Sequence, residues 1–305
     1  MFRTRVAQTL RIGVDGGGTK TELILIDQTG NVLHRHLAPG CNPNVIGADH
    51  ARRIATDALV ATMDRSRMMA PDGEITHTLL CMAGSPGFWQ EFAQSLADFG
   101  QVVAFDDSRP VLELATQGRP GLVLHGGTGS FIAAQAADGR IHYAGGLGWR
   151  FGDPGSGYDL GRRAISRALL ELQGWSNPTR LSQIVRDQTA LEDARAITRH
   201  FYSHPEANRL IASLAPAVLH LASEGDHAAT QLVLESAGEL MELGVRVAQQ
   251  VFPEAALDTI PAGLSGPILI HPVVVATLVT RCPLPLQPLA DTPIEGVRRL
   301  LVRLN

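Results

Sequence analysis

The chain has few cysteines, a slight deficit of positive charge and no long apolar run, and each shortage excludes a class of protein. Its three cysteines, at positions 41, 81 and 282, are far apart and odd in number, which argues against a disulfide framework and favours a reducing compartment. No apolar run reaches the length of a membrane span. The formal net charge of −4 lacks the basic excess typical of proteins that bind nucleic acids.

The first ten residues, MFRTRVAQTL, contain two arginines but no apolar stretch after them. They therefore do not have the pattern of a secretory signal peptide. Together with the missing membrane span, this predicts a cytoplasmic protein without membrane or nucleic-acid partners. The 305 residues, 45% of them hydrophobic, are enough for two domains with sizeable cores.

The order of predicted strands and turns occurs twice. An apolar strand, a glycine-rich turn with threonine, a strand, a turn and a third strand begin near residue 11 and again near residue 121. A unit of this length that occurs only twice predicts two related halves, not a short-period solenoid. Around them, periodicity predicts helices and strands in this order: a helix over 47–69, a strand over 77–84, a helix over 86–100, a strand over 101–105, a helix from about 109, helices through 155–252, a strand entering a glycine loop over 257–267, and a final amphipathic helix from 293.

Two glycine-rich hairpins are the strongest candidates for phosphate binding. The first is Asp15-Gly16-Gly17-Gly18-Thr19-Lys20-Thr21, and the second is Gly126-Gly127-Thr128-Gly129-Ser130. Glycines let backbone N–H groups approach a phosphate closely, and the hydroxyl groups add donors. The first is not a Walker P-loop, because the GxxxxGK[ST] pattern before a helix is absent. A purely structural hairpin is the alternative, but Asn-Gly alone satisfies a two-residue turn.

Two adjacent carboxylates, Asp106 and Asp107, follow the predicted strand 101–105 and precede a helix. One carboxylate there is placed to accept a proton from an attacking hydroxyl group, the role of a general base in phosphoryl transfer. The alternative is capping of the helix, for which aspartate is well suited. Two adjacent acids allow both roles, and spacing does not say which residue has which.

Two further segments are candidates for substrate binding. The loop 145–157 is rich in glycine and carries Asp153 just before a helix, where it is either a ligand for hydroxyl groups or part of a connector. Asn42, in Gly40-Cys41-Asn42-Pro43-Asn44, has an amide that suits a sugar hydroxyl, although Asn and Pro are also common in turns.

These motifs in this order resemble N-acetylglucosamine kinases and bacterial glucosamine kinases, which belong with the BadF/BadG-type ATPases of the actin, hexokinase and Hsp70 superfamily. The resemblance rests on DGGGTKT, Ala83-Gly84, an Asp after the fifth strand, GGTGS and GDPGSG, and it covers nearly the whole chain. It implies an α/β fold of two ribonuclease H-like (actin-like ATPase) domains with a cleft between them. The implied domains are 1–117 and 118–305, with a helical insertion in the second and with the helix 293–305 packed back on the first.

The resemblance also implies functional residues. Asp107 matches the catalytic base, with Asp106 as the fallback, and Asp15 is expected to hold Mg²⁺ through a water molecule. The ATP-binding set is Asp15, Gly16, Gly17, Gly18, Thr19, Lys20, Gly127, Thr128, Gly129, Ser130, Gly225, Gly263 and Ser265. Of these, Gly225, Gly263 and Ser265 match the part of the family that surrounds adenosine. The substrate-binding set is Asn42, Gly84, Asp107, Gly146, Leu147 and Asp153.

The activity implied is phosphorylation of the 6-hydroxyl of N-acetylglucosamine by ATP with Mg²⁺, in a homodimer. Glucosamine is the alternative substrate. An activator ATPase of the acyl-CoA dehydratase kind is a second class, but its iron–sulfur cluster needs closely placed cysteines, and those here are isolated. A binder of sugar or nucleotide without turnover is a third.

Overall fold

A computed structural model describes residues 8–151 and 153–304, so the first seven residues, Gly152 of the loop 145–157 and Asn305 lie outside the described part. The strands are β1 Gln8–Gly16, β2 Lys20–Asp27, β3 Val32–Pro39, β4 Gly73–Met82, β5 Gln101–Asp106, β6 Gly121–Gly126, β7 Ser130–Gln135, β8 Ile141–Gly145, β9 Ala262–Ser265 and β10 Leu286–Pro288. The helices are α1 Pro43–Ile46, α2 Ala48–Met69, α3 Pro86–Gln94, α4 Ser108–Thr116, α5 Gly157–Leu172, α6 Arg180–Thr189, α7 Ala194–Ser203, α8 Ala207–Ala212, α9 Ala215–Ser223, α10 His227–Val251, α11 Gly266–Leu269, α12 Pro272–Val279 and α13 Pro293–Arg303.

The chain divides into two compact units. Unit 1 comprises the residues up to 114 together with those from 290 onward, and unit 2 comprises 115–289. Each unit contains one five-stranded sheet, ordered β3-β2-β1-β4-β5 in unit 1 and β8-β7-β6-β9-β10 in unit 2.

The two sheets have the same topology. In each, the first three strands form an antiparallel meander. The fourth strand pairs in parallel with the first, and the fifth pairs in parallel with the fourth. The correspondence runs strand by strand from β1 and β6 onward. The predicted repetition of a strand–hairpin–strand–turn–strand unit is therefore confirmed.

The sheet of unit 1 is covered on both faces, as its apolar run Leu23–Ile26 in β2 requires. Leu23 and Leu25 pack with α2 and α3, whereas Ile24 and Ile26 pack with α13. Successive side chains of a strand point to opposite faces, so four consecutive apolar residues need cover on both sides.

Helix α13 completes unit 1 through close contacts. Arg11 donates from Nη1 to the carbonyl of Leu301 at 2.8 Å. A β-carbon on Gly296 would lie 2.1 Å from the carbonyl oxygen of Pro110 in the first turn of α4, so only glycine allows the two helices to approach this closely.

In unit 2, helices α5, α9 and α10 pack with β6 and β7 around one large core, which includes Leu124, Ile132, Leu160, Val218 and Leu240. The predicted helical content between 155 and 252 is confirmed as six helices, α5 to α10. No helix in the described residues is both long and apolar enough to span a membrane.

One predicted helix is too long. The sequence predicts a helix to Gly100, but α3 ends at Gln94. Ser95 turns its hydroxyl back to the carbonyl of Phe92, and the carbonyl of Phe99 accepts a hydrogen bond from Thr78 on β4. These contacts draw residues 95–100 into a turn that leads to β5.

Candidate active site

The first hairpin lies at the carboxyl end of β1 and leaves an open surface at its tip. Gly17 donates its N–H to the carbonyl of Lys20 at 2.9 Å, which closes the turn. A β-carbon on Gly16 would lie 2.4 Å from Cε of Met82, whereas one on Gly18 would meet nothing within 4 Å. Gly16 thus packs closely against the end of the Met82 side chain, while the side of Gly18 on which a β-carbon would stand is open to a ligand.

Two partly buried carboxylates, Asp15 and Asp107, lie at the carboxyl ends of the parallel strands of unit 1, where ligands bind in open α/β sheets. Burial, then the nearby charge of Asp107, raises the pKa of Asp15 to about 7. Burial, then the charge of Asp106, raises the pKa of Asp107 to about 6. Such mutual repulsion would be relieved by a cation.

These carboxylates fit Mg²⁺, which prefers oxygen ligands and is usually held by one or two carboxylates with water and substrate phosphates. Asp15, at the end of β1, is the residue that would hold it. Within residues 8–151 and 153–304, no group of three or more His, Cys, Asp or Glu side chains is arranged to bind a metal without such help.

Asp106 and Asp107 have different surroundings. Oδ1 of Asp106 accepts hydrogen bonds from the backbone N–H of Ser108, at 3.0 Å, and from the Ser108 hydroxyl. Asp106 therefore caps the start of α4. The carboxyl of Asp107 interacts with its own backbone N–H, so it is not held by this cap.

Asn42 and Gly84 lie side by side in unit 1. Oδ1 of Asn42 accepts a hydrogen bond from the N–H of Asn44 at 2.9 Å and caps α1, so the Asn42 side chain offers its NH₂ group to a ligand. Gly84 has a φ of 104°, and a β-carbon there would lie 2.5 Å from Oδ1 of Asn42. Only glycine fits this position.

The turn at Gly84 is tied to the first hairpin. The N–H of Ala83 donates to the carbonyl of Gly16 at 2.7 Å. The carbonyl of Ala83 accepts from Nε1 of the buried Trp89 at 2.9 Å. The structure thus brings the predicted phosphate-binding residues of unit 1 next to the predicted substrate-binding residues Asn42 and Gly84.

The second hairpin lies at the carboxyl end of β6 in unit 2 and is one residue shorter than the first, with three residues between the paired Gly126 and Ser130. Gly127 donates its N–H to the carbonyl of Gly129 at 2.8 Å, and the carbonyl of Gly127 accepts from the N–H of Gly157 at 2.8 Å. The second bond attaches the hairpin to the start of α5. The predicted hydroxyl donors belong to Thr128, at the tip, and Ser130, which is buried.

Asp153 lies against the second hairpin. It is only 4% exposed, its Oδ1 has no hydrogen-bond partner, and its Oδ2 would be 3.1 Å from a β-carbon on Gly129. Burial is the main cause that raises its pKa, the backbone N–H of Gly148 lowers it, and the charge of Asp159 raises it. A buried carboxylate oxygen without a partner is costly in a folded protein, so this oxygen is a good candidate for contact with a ligand.

Gly146 and Leu147 begin the loop that contains Asp153. Gly146 has a φ of 65° and donates its N–H to the carbonyl of Ser130 at 3.0 Å, so it is anchored to the second hairpin. The Leu147 side chain is 72% exposed, which leaves it available for contact with a ligand.

The residues predicted on the adenosine side lie in different surroundings. A β-carbon on Gly263 would lie 2.7 Å from Cβ of Ala115, so close packing explains this glycine. Gly225, with a φ of 83°, lies in the turn between α9 and α10, where glycine commonly terminates a helix. Ser265 ends β9, and its hydroxyl lies 3.2 Å from Nδ1 of His125.

His125 is a residue that the sequence analysis missed. Its ring stacks on Phe131, with centroids 4.8 Å apart and planes inclined by 14°, and burial lowers its pKa to about 4. The available signal was a single polar residue at the end of the apolar strand GLVLH, directly before the glycine-rich hairpin.

Two units with the same mixed five-stranded topology, each with a glycine-rich hairpin after its first strand, define the actin-like ATPase fold. The family model described as the BadF/BadG/BcrA/BcrD ATPase family matches residues 12–257. The chain belongs to this family.

Relatives of known name agree with this assignment. An N-acetylmuramic acid/N-acetylglucosamine kinase of Clostridium acetobutylicum is 26% identical over 79% of this chain and 79% of its own length. An N-acetyl-D-glucosamine kinase of Dictyostelium discoideum is 25% identical over 78% of this chain and 79% of its own. A crystal structure of a proposed N-acetylglucosamine kinase from Chromobacterium violaceum is similar with a TM-score of 0.76 and 25% identity, covering 96% of this chain and 99% of that one.

Proposed function

We propose that this protein is an ATP-dependent amino-sugar kinase that transfers the γ-phosphoryl group of ATP to the 6-hydroxyl of N-acetylglucosamine. The observation that carries the proposal is the pair Asp106 and Asp107 at the carboxyl end of β5, in a chain whose relatives are named as kinases of this sugar. Asp106 caps α4, which leaves Asp107 for the chemistry.

Asp107 is the general base in this proposal. As the sugar oxygen attacks the γ-phosphorus, the Asp107 carboxylate accepts the proton of the hydroxyl group. A pKa of about 6 keeps Asp107 mostly ionised at neutral pH and makes it a stronger base than an ordinary aspartate.

The two hairpins bind the phosphates of ATP. Backbone N–H groups around Gly18 in unit 1 and Gly129 in unit 2, with the hydroxyls of Thr19 and Thr128, donate to phosphate oxygens. Mg²⁺, when bound, would neutralise charge on the phosphates, and Asp15 is the residue that would hold it.

Asn42, Gly84, Gly146, Leu147 and Asp153 bind the sugar. The Asn42 NH₂ group donates to a sugar oxygen, because its Oδ1 is occupied by the cap of α1. The partnerless Oδ1 of Asp153 accepts a hydrogen bond from a sugar hydroxyl. Gly84 leaves room beside Asn42 that any side chain would fill.

The test is an assay of ADP release with ATP and Mg²⁺, run with N-acetylglucosamine, glucosamine, N-acetylmannosamine, glucose and no sugar. We expect the strongest stimulation by N-acetylglucosamine. Its 6-deoxy analogue is the matched control, and it should bind but give no phosphorylated product. Release of ADP that does not depend on sugar, or product formed from the 6-deoxy analogue, would contradict the proposal.

The cellular location and the assembly are further parts of the proposal. We expect a cytoplasmic homodimer. Light scattering during size-exclusion chromatography would measure the mass directly, and a mass near the 32.6 kDa of one chain would contradict the dimer.

A further inference from the structure

His125 lies where two loops of unit 2 meet. It is the residue before Gly126 at the end of β6, and in the parallel pairing of β6 with β9 it stands opposite Ser265. Its Nδ1 is 3.2 Å from the Ser265 hydroxyl oxygen. The ring thus joins the hairpin 126–130, predicted to bind phosphates, to the loop after β9, predicted to bind adenosine.

Glycines surround the imidazole edge. A β-carbon on Gly127 would lie 3.2 Å from Nε2 of His125, and one on Gly266 would lie 3.0 Å from Cε1. On its other side the ring is fixed by the stack on Phe131, its cross-strand neighbour. The histidine is therefore held in one orientation, with Nδ1 at the Ser265 hydroxyl and with Nε2 and Cε1 beside the glycine backbone.

The Ser265 hydroxyl does not cap helix α11, although Ser265 stands at the N-cap position. Ser265 is the N-cap residue of α11 and has extended backbone angles, but its side chain makes no capping hydrogen bond. Serine at this position usually accepts from the backbone of the first helical turn. Here the hydroxyl pairs with His125 instead.

The pair formed by His125 and Ser265 keeps one hydrogen-bond donor free of its own internal bond. Burial makes the imidazole neutral at pH 7, so one ring nitrogen carries a proton and the other is an acceptor. The pair then has two donors, one N–H and the Ser265 O–H, and the bond between Nδ1 and the hydroxyl uses one of them. Either the Ser265 O–H or the His125 Nε2–H remains as a donor.

We propose that His125 and Ser265 act as one unit that binds the nucleotide, in which His125 orients the Ser265 hydroxyl and the remaining donor bonds to a phosphate or ribose oxygen. A nucleoside polyphosphate suits this unit, because its phosphate oxygens are acceptors. The inference rests on the proposed use of ATP by the second hairpin, and it adds a residue to that site.

The test measures the binding of ADP and of a non-hydrolysable ATP analogue by calorimetry, without sugar. His125→Phe keeps a ring to stack on Phe131 but removes both nitrogens, and Ser265→Ala removes only the hydroxyl. We expect each variant to raise the Kd about tenfold, the usual effect of losing one hydrogen bond to a charged group. The Kd of the double variant for nucleotide should be no higher than that of the single variant with the higher Kd, because both changes break the same unit.

His142→Phe is the matched control, since it makes the same substitution on β8 of the same sheet, and its Kd should stay at that of the parent. Thermal unfolding of each variant separates loss of binding from loss of fold. If His125→Phe does not fold, Ser265→Ala decides the question by itself. A Kd within twofold of the parent for Ser265→Ala, or losses that add in the double variant, would overturn the proposal.

Failure of this inference can be told apart from failure of the proposed function. Nucleotide binding that depends on His125 and Ser265, without phosphorylation of any sugar, would support the inference and refute the sugar kinase. A parent chain that binds no nucleotide would refute both.

Discussion

Replacement of Asp107 by asparagine, compared with the same change at Asp106, tests the assignment of the catalytic base. Both substitutions keep the shape of the side chain and remove its charge. Asn at 107 has no basic oxygen to accept the proton, so kcat should fall by a factor of about 10²–10⁴, equivalent to about 2.7–5.5 kcal/mol of transition-state stabilisation. Asn at 106 retains an Oδ1 that accepts from Ser108, so α4 keeps its cap and kcat should change little.

The pKa of Asp107 adds a prediction for pH. Since the ionised form is the base, kcat/KM for the sugar should rise with pH through about 6 and then level off. An aspartate with an ordinary pKa would give no such rise between pH 5 and 8.

The raised pKa of Asp107 also affects stability, which should fall as pH rises, whereas kcat/KM should rise. The native state holds the Asp107 proton more tightly than the unfolded chain does, so this carboxyl lowers stability as pH rises from about 4 to about 6. Asp107→Asn should therefore be more stable than the parent at pH 8, with a free energy of unfolding higher by at most about 3 kcal/mol and a higher unfolding temperature. At pH 4 the two proteins should have nearly the same stability. A protein with lower turnover and higher stability than the parent is the expected result.

The assay is ADP release under saturating ATP and sugar, with unfolding followed by circular dichroism in buffer free of Mg²⁺. If Asp106→Asn abolished turnover while Asp107→Asn kept it, Asp106 would be the base and our assignment wrong. If both variants kept turnover, neither residue would be the base.

Asn42→Ala should raise the KM for the sugar about tenfold and leave the Kd of ADP unchanged, and an equal effect on both would contradict its role in sugar binding. Gly296→Ala should lower the unfolding temperature by several degrees because its β-carbon would overlap the backbone of α4, whereas Gly238→Ala in α10, with nothing within 4 Å, should be neutral or stabilising. Arg303→Met should destabilise the fold by on the order of 1–3 kcal/mol at pH 8, because the buried Glu113 loses its ion pair. Burial raises the pKa of Glu113, so this carboxyl takes up a proton as pH falls and the loss of stability should shrink. Equal losses of stability at pH 8 and pH 5 would refute that explanation.

The sheets were predictable because their pattern is local. The apolar runs that end at Asp15 and at His125 are each followed by glycines, and this combination indicates a strand and a hairpin without knowledge of the rest of the chain. The end of α3 was not predictable in this way. It depends on Thr78, a residue of another strand, which binds the carbonyl of Phe99 and stops the helix pattern before Gly100.

The candidate site was proposed from residue types, and its geometry could not be foreseen from the sequence. Spacing alone left Asp106 and Asp107 equivalent. The family resemblance favoured Asp107, and the hydrogen bond from Ser108 to Asp106 is the structural difference that agrees with this choice. Asp153 is separated by more than twenty residues from Gly129, and their contact depends on the path of the loop 145–157. His125 was missed because a single histidine in a strand carries no motif, and its significance arises from Ser265, 140 residues away.

The position of α13 in unit 1 affects the order in which the two units can be completed during synthesis. The residues of unit 2, 115–289, are contiguous, so this unit has its whole core as soon as they have left the ribosome. Unit 1 must wait for residues 293–303, and until then the apolar face formed by Ile24, Ile26 and Leu79 is uncovered. A fragment ending at residue 114 should therefore aggregate, whereas a protein in which a short linker joins residue 114 directly to residue 290 should fold as unit 1 alone.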